Sequence, residues 1–189
     1  MTIAPQEPVL RQIAVDLKVL EEEHVTFVPM WLGYSMMISL KPGIVTDGAS
    51  IPEWIAADEE QRSKVEKLVL KRFHNVETRS DFNSLVNKLL GTPWDMPRLL
   101  AAVVHDSLYG MKWMFRWLCD RVYRNILIDN SYELARAEVE YLAIRMFGWK
   151  NWKNVSKTEQ ENTKRLASVA WVRTKNVKGI IEKLKQEGV

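Results

Sequence analysis

The sequence predicts an α+β fold, helix-rich overall, with a small N-terminal antiparallel β-sheet packed on a helical C-terminal bundle. Three observations carry this expectation. The first fifty residues are short β-branched and aromatic runs broken by turn formers, whereas from Thr92 onward helical periodicity recurs behind repeated helix-start signals. Between them lies a charged stretch with two apolar stripes of helical spacing. At 189 residues, 47% hydrophobic and 27% charged, the chain suits a single domain able to bury a core.

In the N-terminal part, strands are expected near Gln12–Leu20, His24–Pro29 and Tyr34–Leu40. Lys41-Pro42-Gly43 reads as one turn and Thr46-Asp47-Gly48 as the next. Ser50-Ile51-Pro52-Glu53 has the form of a capping box, so a short helix should begin there. Residues 58–90 place Val65, Leu68, Val69 and Phe73 on one stripe and Phe82, Leu85, Val86 and Leu89 on another. This spacing predicts a helical insertion of two short helices packed on the main domain.

Thr92-Pro93-Trp94-Asp95 then leads into a helix from about Pro97 to Tyr109, stopped by Gly110. A second helix is expected from about Lys112 to Ile128. A third follows Asn130-Ser131-Tyr132-Glu133 and ends at Gly148, with Ala135, Val139, Leu142 and Met146 turned inward. Ser156-Lys157-Thr158-Glu159 starts one long final helix, a C-terminal extension over residues 156–187. Its apolar face would hold Leu166, Val169, Ala170, Val177, Ile180, Ile181 and Leu184.

Bulk properties narrow the function classes. No apolar run approaches the ~18 residues that span a bilayer, and the start lacks the basic-then-apolar pattern of a secretory leader. No membrane partner is therefore expected. One cysteine, Cys119, leaves no internal disulfide and no cysteine-rich zinc site, which suits a reducing, cytoplasmic setting. The net charge of +3 is uneven: from Arg145 onward eleven Lys or Arg face four Glu, giving that segment +7. Such a basic end attracts acidic partners.

Chemistry concentrates at few positions. The helix Leu99–Tyr109 is apolar all round except at His105, Asp106 and Ser107, and a helix apolar on every side is normally buried. A buried ionisable group must be paired, neutralised or metal-bound. The helix neighbours of His105 and Asp106 offer no polar partner at the right spacing, so both must look to another segment. Three readings stand side by side: a structural hydrogen-bond pair tied to the Asp47 turn, a metal or acid–base role, or a surface helix. Adjacent residues point about 100° apart, so a shared ion would sit in the cleft between those directions. Asp47 itself reads first as turn chemistry, although its turn abuts a helix N-terminus that suits an anion. Asp120, in line with Arg116 and Arg124 at i±4, reads locally as part of a surface ion-pair row.

Taken together, these residues resemble a known family. Val45-Thr46-Asp47-Gly48-Ala49-Ser50-Ile51-Pro52, then Ala101-Ala102-Val103-Val104-His105-Asp106-Ser107-Leu108-Tyr109, then Arg116 with Asp120, is similar to the family catalogued as domain of unknown function 1353. Tyr141-Leu142-Ala143-Ile144-Arg145-Met146-Phe147-Gly148, followed by Trp149 and Trp152, looks like that family's closing segment. The resemblance spans roughly residues 25–153, outside the 58–90 insertion. It implies a bacteriophage or prophage origin, without a settled activity. It also joins Asp47, His105, Asp106 and Asp120 into one constellation, bordered by Thr46, Ser50 and Tyr109. The charged insertion and the C-terminal extension depart from the family's pattern.

Three functions follow as expectations. In the first, the chain is a metal-dependent hydrolase. Asp47, His105 and Asp106 are catalytic, and together with Asp120 they ligate Zn²⁺, Mn²⁺ or Mg²⁺. Thr46, Ser50 and Tyr109 then contact a phosphoester or cell-wall peptide. A His-Asp phosphohydrolase using His74 is disfavoured, because His74 lies in the insertion. In the second, the chain is a non-enzymatic virion component or host-factor-binding protein, acting in the host cytoplasm or the virion. Its protein partner would meet residues 58–90, the basic C-terminal helix, or Trp149, Trp152 and Trp171. In the third and least favoured, Lys157, Lys164, Arg165, Arg173, Lys175, Lys178, Lys183 and Lys185 contact nucleic acid.

Overall fold

Alternation in Tyr34–Leu40 puts Met36, Ile38 and Leu40 on one face of a strand, and all three are fully buried. That strand is the centre of the larger sheet. In the computed structural model, which describes residues 8, 10–14, 17–46, 59–72, 78–91 and 96–187, it is β4. It pairs antiparallel with β3 (His24–Pro29) on one side and β6 (Ala167–Arg173) on the other. A smaller antiparallel sheet has the order β1 (Leu10–Ala14), β2 (Leu17–Leu20), β5 (Val45–Thr46). The β3 and β4 bounds coincide with the expected segments, and the expected Gln12–Leu20 strand is instead the β1–β2 pair.

The helices are α1 (Glu59–Arg72), α2 (Arg79–Gly91), α3 (Met96–Met111), α4 (Arg116–Asp129), α5 (Leu134–Phe147), α6 (Trp149–Asn154), α7 (Lys157–Leu166) and α8 (Val177–Glu187). The fold is the α+β arrangement the sequence predicts. Helix α3 packs on α4, α4 on α5, and α3 also meets β4, β5 and α7. In the expected insertion, α1 and α2 pack against α5 through Val65, Val69, Phe82, Leu85 and Val86, which join the central apolar cluster. Leu68, assigned to that stripe, is exposed instead. The Ser50–Glu53 capping box, Phe73, His74 and the Thr92–Asp95 start signal lie outside the described residues.

Two expectations are corrected. The long final helix over 156–187 does not exist as one element. Ser156 does cap its start, accepting from the Glu159 N–H at 3.1 Å, but α7 ends at Leu166 and the backbone turns extended at Ala167 (φ −130°, ψ 145°). Leu166, Val169 and Ala170 fit a helical face, yet Ala167, Val169 and Trp171 fit a strand equally well. Val169, Trp171 and Val172 favour a pleated surface, and the open edge of β4 supplies the ladder that decides it. The eight basic residues considered for nucleic acid consequently sit on α7, β6, the 3₁₀ turn Thr174–Asn176 and α8, not on one helical row.

The second correction concerns Gly110, which does not stop α3. A Cβ there would lie 2.6 Å from Thr163 Oγ1 on α7, so this glycine marks a close helix approach inside α3.

Two outcomes test this architecture. Ending the chain at Leu166 removes β6 and bares the β4 edge, so it should abolish the cooperative melting transition. Ending it at Asn176 should preserve that transition, as followed by circular dichroism. Separately, His24 is buried opposite Leu40, and its Nε2 has no hydrogen-bond partner among the described residues. Burial pulls its pKa down to about 4. The unfolded histidine titrates near 6.5, so stability should fall by roughly 3 kcal/mol as pH drops from 6.5 to 4. In His24→Leu this acid loss should disappear from urea titrations, and an unchanged pH slope would contradict it.

Candidate functional site

Helix α3 is buried along its length, yet it carries His105 with 7% exposure and Asp106 beside it. The structure supplies partners from other elements, as the sequence requires. His105 Nε2 lies 3.1 Å from Asp120 Oδ1 on α4; a carboxylate oxygen only accepts, so the imidazole donates. Asp106 reaches the other way and accepts from Thr46 Oγ1 on β5 at 2.6 Å. The two directions from one helix therefore anchor α3 to α4 on one side and to the small sheet on the other.

Asp120 is the centre of the cluster. It is 0% exposed, which corrects the surface ion-pair row expected from its spacing with Arg116 and Arg124. Besides His105, its Oδ1 accepts from Tyr109 Oη at 2.5 Å, and its Oδ2 accepts from Arg145 Nη1 on α5 at 2.6 Å. Arg116 stands 3.6 Å from the same oxygen, but its guanidinium also donates to the carbonyls of Ile144 (3.2 Å) and Arg145 (2.8 Å). It thereby caps the last turn of α5, where the Ile144 carbonyl also accepts from the Gly148 N–H at 2.8 Å. Arg124 turns away and pairs with Glu138.

Tyr109 adds a ring contact on the same helix. One helical turn after His105, it packs against the imidazole at a 43° tilt with ring centroids 4.0 Å apart and shares Asp120 with it. Tyr123 meets the imidazole edge-on at 5.5 Å, and Trp152 meets Tyr109 edge-on at 5.1 Å. A Cβ at Gly148 would fall 2.8 Å from Tyr109 Oη, so the α5–α6 junction leaves room for that hydroxyl by omitting a side chain.

The electrostatics follow from the geometry. Burial alone would pull the His105 pKa down, but Asp120 at Nε2 and Asp106, 3.8 Å from Nδ1, overcome it and raise the value. Burial would push the Asp120 carboxyl up, but hydrogen bonds from His105, Tyr109 and Arg145 hold it below the usual range. Burial and the neighbouring Asp120 push the Tyr109 hydroxyl up, so it stays protonated and donates. Burial also lifts the Cys119 thiol to about 12, which makes it an inert core residue.

A second buried acid escaped the sequence reading. Glu140 on α5 accepts from Tyr123 Oη (2.5 Å) and Tyr132 Oη (2.7 Å), and Arg98 Nε stands 3.3 Å away. Both Arg98 and Glu140 are 1% exposed. The sequence signal was present: in Ala137-Glu138-Val139-Glu140 the two acids flank an inward valine, so no single face of α5 is apolar. Of the predicted site residues, Thr46, His105, Asp106, Tyr109 and Asp120 are brought together. Asp47 and Ser50 lie outside the described residues. Among the described residues no group of three His, Cys, Asp or Glu converges as a metal site.

The raised His105 value carries a stability prediction. The folded chain holds the imidazole proton to higher pH than the unfolded chain, which titrates near 6.5. Its contribution is therefore complete below pH 6.5 and is lost as pH rises through the folded value. The stability difference between wild type and His105→Gln should be largest at about pH 5.5 and shrink towards pH 9, read from urea unfolding. A difference that grows with pH would overturn the assignment.

No family model matches the chain, and no curated protein or solved structure matches it. The likeness to domain of unknown function 1353 rests on the motifs alone.

Proposed function

We propose that the chain is a hydrolase of acid–base type, with His105 and Asp106 as its reacting pair and Asp120 as the group that positions the imidazole. The observation that supports this most is the two-sided clamp on His105. Its Nε2 is fixed on the buried Asp120, while its Nδ1 faces Asp106, whose side chain is 32% exposed. The protonated imidazole suits the role of proton donor to a leaving group, and Asp106 suits the role of acceptor from an attacking water. Because the two groups are neighbours, the proton gained by Asp106 can return to His105 and restore the site. Thr46 orients the Asp106 carboxylate through its hydroxyl. A phosphoester or a cell-wall peptide remains the proposed substrate class, and the motif resemblance supports a phage origin, in the host cytoplasm or the virion.

A divalent cation such as Zn²⁺, Mn²⁺ or Mg²⁺ would supply a Lewis acid and a more acidic bound water. Asp120 does not suit it as a ligand, since its oxygens already face Arg145, Arg116, Tyr109 and His105. Among the described residues, the donors left for it are Asp106 and the His105 Nδ1.

A second reading is favoured by the complete burial of Asp120. Here the cluster is a structural polar network, and the chain acts by binding a partner protein. Asp106→Asn separates the two readings, because Asp106 is the most exposed member and Asn keeps its shape. The hydrolase reading expects turnover of bis(p-nitrophenyl) phosphate or peptidoglycan fragments to fall by about 10²–10⁴-fold with an unchanged melting temperature. A lowered melting temperature, with a wild type inert on both substrates with or without divalent ions, would favour the structural network.

A further inference from the structure

One face of the molecule gathers exposed aromatic side chains from three separate elements. Trp31, in the β3–β4 turn, stacks on Trp117 of α4 with centroids 6.3 Å apart, and packs against Trp171 of β6 at 5.8 Å. Two further apolar side chains of the same segments are exposed. Leu32, at the tip of the turn, is 87% exposed, and Phe115, just before α4, is 75% exposed. Cations surround the rings: Arg121 lies over Trp31 at 5.5 Å and Arg173 over Tyr34 at 5.6 Å. The contributing segments, residues 30–34, 112–121 and 171–178, hold Lys112, Arg116, Arg121, Arg173, Lys175 and Lys178, of which Arg116 is tied inward to Asp120 and Lys178 stands 3.9 Å from Glu182. Their single acid is Asp120, which is wholly buried, so the exposed charge they contribute is positive.

We propose that this aromatic platform is a peripheral docking surface for an anionic lipid bilayer, with Leu32 and Phe115 entering the acyl boundary and Arg121 and Arg173 meeting headgroups. Tryptophan prefers the wet edge of an apolar phase, and long cationic side chains reach headgroups while their stems stay apolar. The positive rim complements anionic lipid and repels a second copy of the same face. The Trp31 ring is engaged by Trp117, Trp171 and Arg121, which disfavours it as a platform for nucleic-acid bases. The expectation of no membrane partner rested on the lack of a spanning segment, and a surface-bound chain needs none. This inference is independent of the hydrolase reading.

The full chain should be tested by flotation with phosphatidylcholine vesicles, with and without about one-third phosphatidylglycerol. Binding is expected only to the anionic vesicles, weakening as salt rises. Leu32→Asp combined with Phe115→Ser should lower partitioning roughly tenfold or more with an unchanged melting temperature. Leu32 adopts φ 55°, a conformation Asp tolerates better than Leu, so the fold should not suffer. Arg121→Glu with Arg173→Glu should remove the preference for anionic lipid. Several results would overturn the proposal. They are the absence of flotation, equal flotation of the Leu32/Phe115 variant, a dimer in light scattering that this variant dissociates while vesicles stay bare, or binding of a single-stranded oligonucleotide in place of vesicles.

Discussion

The buried carboxylate of Asp120 is the constraint on which the helical half of the fold depends. Its partners come from three helices: His105 and Tyr109 from α3, Arg116 from its own α4, and Arg145 from α5. An ionised group removed from water is tolerable only when its lone pairs are engaged, and here two oxygens share three hydrogen-bond donors, with the Arg116 guanidinium 3.6 Å away. The geometry is therefore over-determined. Moving α3 or α5 would strip hydrogen-bond donors from this buried charge and destabilise the fold.

Glu140 repeats the arrangement one layer away, with Tyr123, Tyr132 and Arg98 around it. Tyr123 belongs to both layers, since it donates to Glu140 and meets the His105 ring edge-on. Helix α5 thus supplies Arg145 to the first acid and Glu140 as the second, while its opposite contacts receive α1 and α2. The centre of the protein is held by directional polar contacts within an apolar cluster, and such networks fix helix register more strictly than apolar packing does.

Arg116 connects this interior to the surface. Its guanidinium is tied to Asp120 and to the final carbonyls of α5, while its neighbours Phe115 and Trp117 face outward. The aromatic platform and the His105 cluster therefore sit at two ends of the same turn, the first turn of α4.

The sequence by itself determined the strand and helix succession wherever local pattern and tertiary need agree. The alternation in β4, the apolar helix α3 and the Ser156 cap are of this kind. It also showed that His105 and Asp106 needed partners from other segments, because a helix buried on every side cannot leave them unpaired. Only the tertiary structure decided who those partners are. Asp120 looked like a surface residue, since i±4 charge spacing is the same whether a helix face meets water or another helix. Residues 167–173 looked helical, since a short apolar run fits both periods and only the open edge of β4 chose between them. Glu140 left only a faint local trace beside an inward valine, and Arg98 and Arg145 left none, because what makes a buried charge tolerable is a set of donors distant in sequence and adjacent only after folding.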